Sequence, residues 1–193
     1  MTAAKKLEPI SVADYLEGEL VSPIKHEYFG GVVYAMAGGR VLHHLIATNI
    51  TTAIGSRLRG KRCQAFNSDM KVRVPPPPRE RFYYPDASIV CRSNPPEDSY
   101  QDEPVVIFEV LSKATQRIDK GEKLDAYLSL PSLAVYALVE QEAALVTVYR
   151  RKGNEFVDER YDGCYAIIPL PEVDIELPLA EIYERVEFRP EVE

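Results

Sequence analysis

The sequence predicts an α/β fold, a mixed central β-sheet flanked by helices, with additional β-hairpins. Three observations carry this expectation. Apolar residues recur at three- and four-residue steps across 41–59, the period of a core-facing helix. The run VVIFEVLS at 105–112 is almost continuously apolar, as in a strand buried on both faces. Helical and strand patterns also alternate along the chain, which favours helices packed on a sheet.

The elements follow in order. Residues 11–18, SVADYLEG, read as a short helix, with Ser11 as N-cap and Asp14 at the third helical position. Residues 25–37 read as two strands around a Gly30-Gly31 turn. In the helix at 41–59, Leu42, Leu45, Ile46, Ile50, Ala53, Ile54 and Leu58 form the apolar stripe. Residues 64–74 alternate as one half-buried strand, with Met70, Val72 and Val74 opposite Asp69, Lys71 and Arg73. The proline run at 75–78 heads a stiff exposed loop reaching residue 81. Residues 82–91 form the next strand and 92–104 a polar loop, before the buried strand at 105–111. A second helix is expected over 115–129, stopped by Pro131, and another apolar strand over 133–140. A hairpin spans 144–161, and LAEIYERV near the end forms a short amphipathic helix. No repeat or linker divides the chain, so residues 1–193 form a single domain.

Composition excludes some functions. No apolar stretch is long enough to span a membrane, and the first twenty residues lack a secretory core, so a cytoplasmic protein is expected. Three scattered cysteines without a CxxC pair suit a reducing compartment and argue against a disulfide framework or a zinc site. A net charge of -7 is unlike a protein that coats nucleic acid, so any such contact must rest on a local patch. One basic cluster is Arg57, Arg59, Lys61 and Arg62 at the end of the 41–59 helix. It is either favourable charge at a helix C-terminus or a phosphate-contacting patch.

Glu109 breaks the most apolar run of the chain. Burying an ionised carboxylate alone is costly, so it needs a raised pKa, a partner or a metal. A second acid, Asp86, follows Pro85 at the start of the neighbouring strand. Two carboxylates on adjacent strands can share a hard cation such as Mg²⁺, with water and a phosphate oxygen completing its shell. Lys123, or less favourably Lys120, lies on the helix that follows, with Asp119 and Tyr127 on the same face. Its plain alternative is an Asp119–Lys123 pair at i, i+4. The plain alternative for Glu109 is a buried structural ion pair.

PDASIVC at 85–91 and IFEVLSKATQRIDKGEKLDAYLSLPSLAVYALVE at 107–140 resemble the Uma-type restriction-endonuclease family of the PD-(D/E)xK nuclease superfamily. HEYFGG, HHLIATNI, SDMKVRV and YYPD extend the resemblance to roughly residues 10–185. It implies a restriction-endonuclease-like core over approximately 25–150, followed by a C-terminal hairpin and short helix. It implies Asp86 and Glu109 as metal ligands, Glu27 as a supporting acid, and His43 as a helix-start histidine lining the site, with His44 the weaker candidate. The superfamily lysine two residues after the acid is replaced by Leu111, which points to Lys123 as its substitute. The expected activity is Mg²⁺-dependent endonuclease cleavage of DNA, with Mn²⁺ able to substitute, by a homodimer that cuts both strands. The alternatives are an inactive relative acting as a binding or assembly module, and a hydrolase of small phosphorylated substrates. Neither a target site nor a protein partner can be read from the sequence.

Overall fold

The structure is a computed structural model and describes residues 8–76, 78–112 and 116–188. Helix α1 (Val12–Val21) begins as expected: Ser11 Oγ accepts from the Asp14 amide at 3.1 Å. It runs three residues past Gly18. Tyr15 on its buried side packs against Tyr28 and Phe82. Strands β1 (His26–Phe29) and β2 (Val32–Ala35) follow. The two-residue turn between them needs φ of 53° at Gly30 and 100° at Gly31, values that glycine adopts without strain.

Helix α2 (Val41–Arg57) buries Ile46, Ile50 and Ile54 completely. The strand expected over 64–74 is in fact two, β3 (Gln64–Asn67) and β4 (Lys71–Val74), in different sheets. The chain turns between them where the Asp69 amide donates to Asn67 Oδ1. The strand expected over 82–91 divides likewise into β5 (Arg81–Tyr83) and β6 (Ala87–Val90). Pro85, which has no N–H to give a ladder, lies in that break. The polar loop contains a two-residue strand β7 (Tyr100–Gln101), and the apolar run forms β8 (Pro104–Val110).

The second helix is also divided, into α3 (Gln116–Asp119) and α4 (Glu122–Leu128). Its expected first residue, 115, lies outside the described residues. Gly121 explains the break: a Cβ there would fall 2.9 Å from the Arg117 carbonyl oxygen. Strand β9 (Val135–Val139) and the hairpin β10 (Leu145–Lys152) and β11 (Glu155–Asp162) match expectation. A further hairpin, β12 (Ile167–Leu170) and β13 (Ile175–Pro178), precedes the short helix α5 (Leu179–Ile182).

Two sheets carry the fold. One has the order β2-β1-β5-β4-β7, the other β11-β10-β9-β8-β6-β3. The second is mixed, since β8 and β9 run parallel while its other pairs are antiparallel. β4 pairs with β5 and β3 with β6, so one antiparallel ribbon starts in one sheet and ends in the other. Its bend, at 68–70 and 84–86, is where the sheets meet. The main core lies on the α2 side of the six-stranded sheet and includes Val106, Phe108 and Val110. A second core, with Ile107, Leu111, Tyr127 and Leu138, lies on its α4 side.

The expectation about cysteines is overturned. Cys63 and Cys91 form a disulfide, and Cys164 is free and exposed. The bonded pair lies one position beyond the Gln64–Val90 register pair of β3 and β6, which places the two residues opposite each other. Their separation in sequence hid that proximity. Among the described residues no helix is long and apolar enough to cross a membrane.

Candidate active site

The alternation of β8 sends Val106, Phe108 and Val110 toward α2 and leaves Glu109 facing α4. Glu109 is 4% exposed. Asp86 stands one position before the Ala87–Phe108 pair, and so beside Glu109 across the ladder. Its Oδ2 accepts from the Val110 amide at 2.7 Å, and its Oδ1 lies 2.8 Å from His43 Nε2. Pro85 and the sheet-to-sheet bend thus hold Asp86 at the strand start, while the first turn of α2 supplies its histidine.

Lys123, in the first turn of α4, is 7% exposed and enters from the opposite side. Its Nζ lies 2.9 Å from Glu27 Oε1, 3.3 Å from Glu109 Oε1 and 3.7 Å from Asp119 Oδ1. Tyr127, one turn further along α4, donates to Glu109 Oε1 at 3.4 Å. Leu111 shares the face of Glu109 but is packed in the apolar cluster with Tyr127. The ammonium therefore comes from α4. Asp119 at the end of α3 and Lys123 at the start of α4 stay in contact across the break at Gly121.

The electrostatics are lopsided. Burial pushes the Glu109 carboxyl well above its usual range; Lys123 opposes this, while Asp86, Asp119 and Glu27 reinforce it. Burial works against the Lys123 ammonium, but Glu109, Glu27 and Asp119 outweigh it and hold the group protonated. The His43 pKa is raised, chiefly by its hydrogen bond to Asp86. Tyr127 is pushed up by burial and then by Glu109, so its hydroxyl stays a donor. Three carboxylates, Glu27, Glu109 and Asp119, thus surround one lysine, and a fourth, Asp86, pairs with His43 beside them.

A cation fits this excess. Glu27 Oε1 is buried and, although paired with Lys123, makes no well-directed hydrogen bond. All the acidic donors are hard oxygens, the chemistry of Mg²⁺ rather than of a soft metal. Among the described residues no three His, Cys, Asp or Glu side chains are grouped as a ready-made metal cluster. Mg²⁺ does not require one, because one or two carboxylates with water and phosphate oxygens suffice.

The structure brings Asp86, Glu109, Lys123, Glu27, His43, Asp119 and Tyr127 together. Lys120 is elsewhere, exposed and paired with Glu140. An open groove of about 200 Å³ beside Asp86 is lined by His44, Thr48, Thr51 and Asn67. Tyr83 was not foreseen: the Lys123 ammonium stands over its ring, and its hydroxyl donates to Glu122 at 2.7 Å. Its signal was positional, since Tyr83 faces Glu27 one step beyond the Tyr28–Phe82 pair.

The basic cluster is remote. Arg57 is fourteen residues from His43 along α2, about 21 Å at the helical rise. It forms a double-sided pair with Glu181, and Lys61 pairs with Asp174. Arg59 and Arg62 are exposed beside them. A larger cavity of about 580 Å³ lies there, lined by Arg57, Lys61, Asp174 and Glu176, but it holds none of the clustered acids.

The Uma2 family, described as "Putative restriction endonuclease", matches residues 12–180. The chain belongs to the Uma2 family. Two curated relatives of this Uma2 chain come from Synechocystis sp. and are both named as uncharacterized proteins. The protein slr1290 is 32% identical over 149 residues, covering 75% of this chain and 76% of the relative. The protein sll1609 is 26% identical over 148 residues, covering 75% and 82%. Among solved structures, "a putative nuclease belonging to DUF820" from Anabaena variabilis superposes with a TM-score of 0.67 at 19% identity. That match covers 87% of this chain and 96% of the other, and it shows a shared fold.

Proposed function

We propose that this Uma2 chain is a divalent-metal-dependent phosphodiesterase, an endonuclease acting on DNA, with Asp86 and Glu109 as ligands for Mg²⁺ or Mn²⁺. The observation that carries the reading is the buried excess of carboxylates around Lys123 at the junction of the sheets. When bound, the cation supplies Lewis-acid stabilisation of a nonbridging phosphate oxygen and a nucleophilic water. His43 holds the Asp86 carboxylate through its Nε2 contact. Tyr127 and Lys123 fix Glu109. Lys123, held protonated, acts through its charge on the phosphate and on water orientation rather than by removing a proton. Glu27 fixes the ammonium from the far side.

The test is cleavage of plasmid and linear DNA with Mg²⁺ or Mn²⁺, against EDTA. Cleavage that appears only with metal is the expected result. No cleavage in any condition sinks the endonuclease reading. It favours the second one, a catalytically inactive nuclease-fold protein acting as a binding or assembly module. That alternative draws on the lack of a ready-made three-ligand group among the described residues and on Leu111 at the superfamily lysine position.

A homodimer belongs to the same proposal, because cutting both strands calls for two sites and two-fold dimers are the commonest oligomers. Strand β2 is an edge strand with Val32 46% and Tyr34 55% exposed, and it carries no charged residue to block edge pairing. Light scattering should report twice the 21.8 kDa chain mass. A monomer would remove the dimer from the proposal.

A further inference from the structure

An acidic cluster on a chain of net charge -7 repels a polyanion, so a nucleic-acid strand needs local cations near the site. The 57–62 cluster is too distant and partly neutralised. The β1–β5 ladder supplies a nearer source. Glu27 and Tyr83 form one row of side chains at the catalytic center, and the next row on the same face is the Phe29–Arg81 pair. Two residues along a strand is about 7 Å.

Arg81 stands over the Phe29 ring at 4.9 Å and Arg79 over the same ring at 5.5 Å. Among the described residues neither guanidinium has a carboxylate within ion-pair distance, whereas Arg57, Arg73 and Arg150 each do. The acid between them, Glu80, lies beside Arg73 instead. Arg81 Nε is buried without an acceptor. The placement of Arg79 is built in: a Cβ on Gly30 would fall 2.6 Å from its Cδ, so the glycine leaves room for the arginine stem.

Taking the catalytic reading above as its basis, we propose that Arg79 and Arg81, held on Phe29, bind the phosphodiester backbone of the nucleic-acid strand next to the scissile phosphate. Guanidinium forks match phosphate oxygens, and the aromatic ring orients them without neutralising them. The groove beside Asp86 is lined by Asp86 itself, His44 and uncharged residues such as Thr48, Thr51 and Asn67, whereas Arg79 and Arg81 lie on the Glu27 side. These two arginines are positioning residues and touch no reacting atom.

The test is binding of the full-length chain to labelled single-stranded DNA, duplex DNA and single-stranded RNA by fluorescence anisotropy. EDTA is present so that no cleavage intervenes, and salt is varied. The variants are Arg79→Gln with Arg81→Gln, and, as a control of equal charge change, Arg59→Gln with Arg62→Gln. The site pair should weaken binding at least tenfold. It should also lower the slope of log K against log salt by about 0.7 per arginine on single strands, or about 0.9 on duplex. The control should leave the slope near wild type. The probe that shows the largest loss identifies the substrate strand. Equal losses from both pairs, or none from the site pair, overturn the clamp while leaving the catalytic reading standing. A wild-type chain that binds none of the probes overturns both. Binding lost as expected, in a chain that cleaves nothing, keeps the clamp and overturns only the endonuclease.

Discussion

Asp86→Asn should abolish metal-dependent cleavage, by about a thousandfold or more, while leaving the chain folded. Several kcal/mol of transition-state stabilisation come from a cation on the phosphate, and each 1.36 kcal/mol is about tenfold in rate. Asparagine keeps the shape of the side chain. Its carbonyl oxygen can still accept from the Val110 amide, the contact that seats Asp86 at the start of β6. What it removes is the negative charge and one of two oxygens able to hold a hard cation. It also removes the charge that faces His43. The check has two parts: rates on plasmid DNA over a range of Mg²⁺, and thermal unfolding in EDTA. Unchanged unfolding with lost cleavage fits a ligand role. Cleavage retained in Asp86→Asn would exclude Asp86 from the chemistry. Cleavage recovered at high Mg²⁺ would mean that Asp86 tunes affinity and that Glu109 carries the cation.

The residues that break a local rule were legible. Glu109 interrupts an apolar run, and Pro85 cannot join a ladder, so each marks its position without any three-dimensional knowledge. Ser11 and the Gly30-Gly31 turn act within a few residues of themselves, and both formed as expected. The two strand breaks were harder. Side-chain alternation continues across 64–74 although the chain changes sheets at residues 68–70, because the ribbon β3–β6 and β4–β5 bends without losing its period. The Asn67-Ser68-Asp69 triplet carried a turn signal that the alternation masked. Gly121 likewise marked the break between α3 and α4 inside an otherwise helical pattern. The remaining misses are matters of pairing. Cys63 and Cys91 are 28 positions apart and opposite only once the β3–β6 register exists. No linear pattern shows that Arg57 has an acid partner while Arg81 has none among the described residues, since the acid that meets Arg57, Glu181, arrives from another element.

Lys123 and Glu109 should respond to mutation in opposite directions. Lys123→Ala removes the ammonium shared by Glu27, Glu109 and Asp119, leaving buried carboxylates without it. Removing one partner of a buried pair costs about 3–5 kcal/mol, and at about 2–4 °C per kcal/mol for a chain of this size the melting temperature should fall by roughly 6–20 °C. Glu109→Gln instead removes a carboxyl whose ionised form burial and the neighbouring acids already disfavour, and Tyr127 can still donate to the amide oxygen. Its melting temperature in EDTA should equal or exceed that of wild type. Mg²⁺ should reverse the order. Binding to the folded wild type adds about 2.7 kcal/mol at a hundred times Kd, whereas Glu109→Gln should gain little. Differential scanning calorimetry of the three chains, with EDTA and with Mg²⁺, reads all of this directly. If Glu109→Gln melts as early as Lys123→Ala in EDTA and Mg²⁺ shifts neither wild type nor variant, the pair is structural and the metal reading fails. If wild type alone rises with Mg²⁺, the instability of the carboxylate cluster is the free energy that the cation recovers on binding. The same excess charge that weakens the metal-free fold would then be the source of metal affinity.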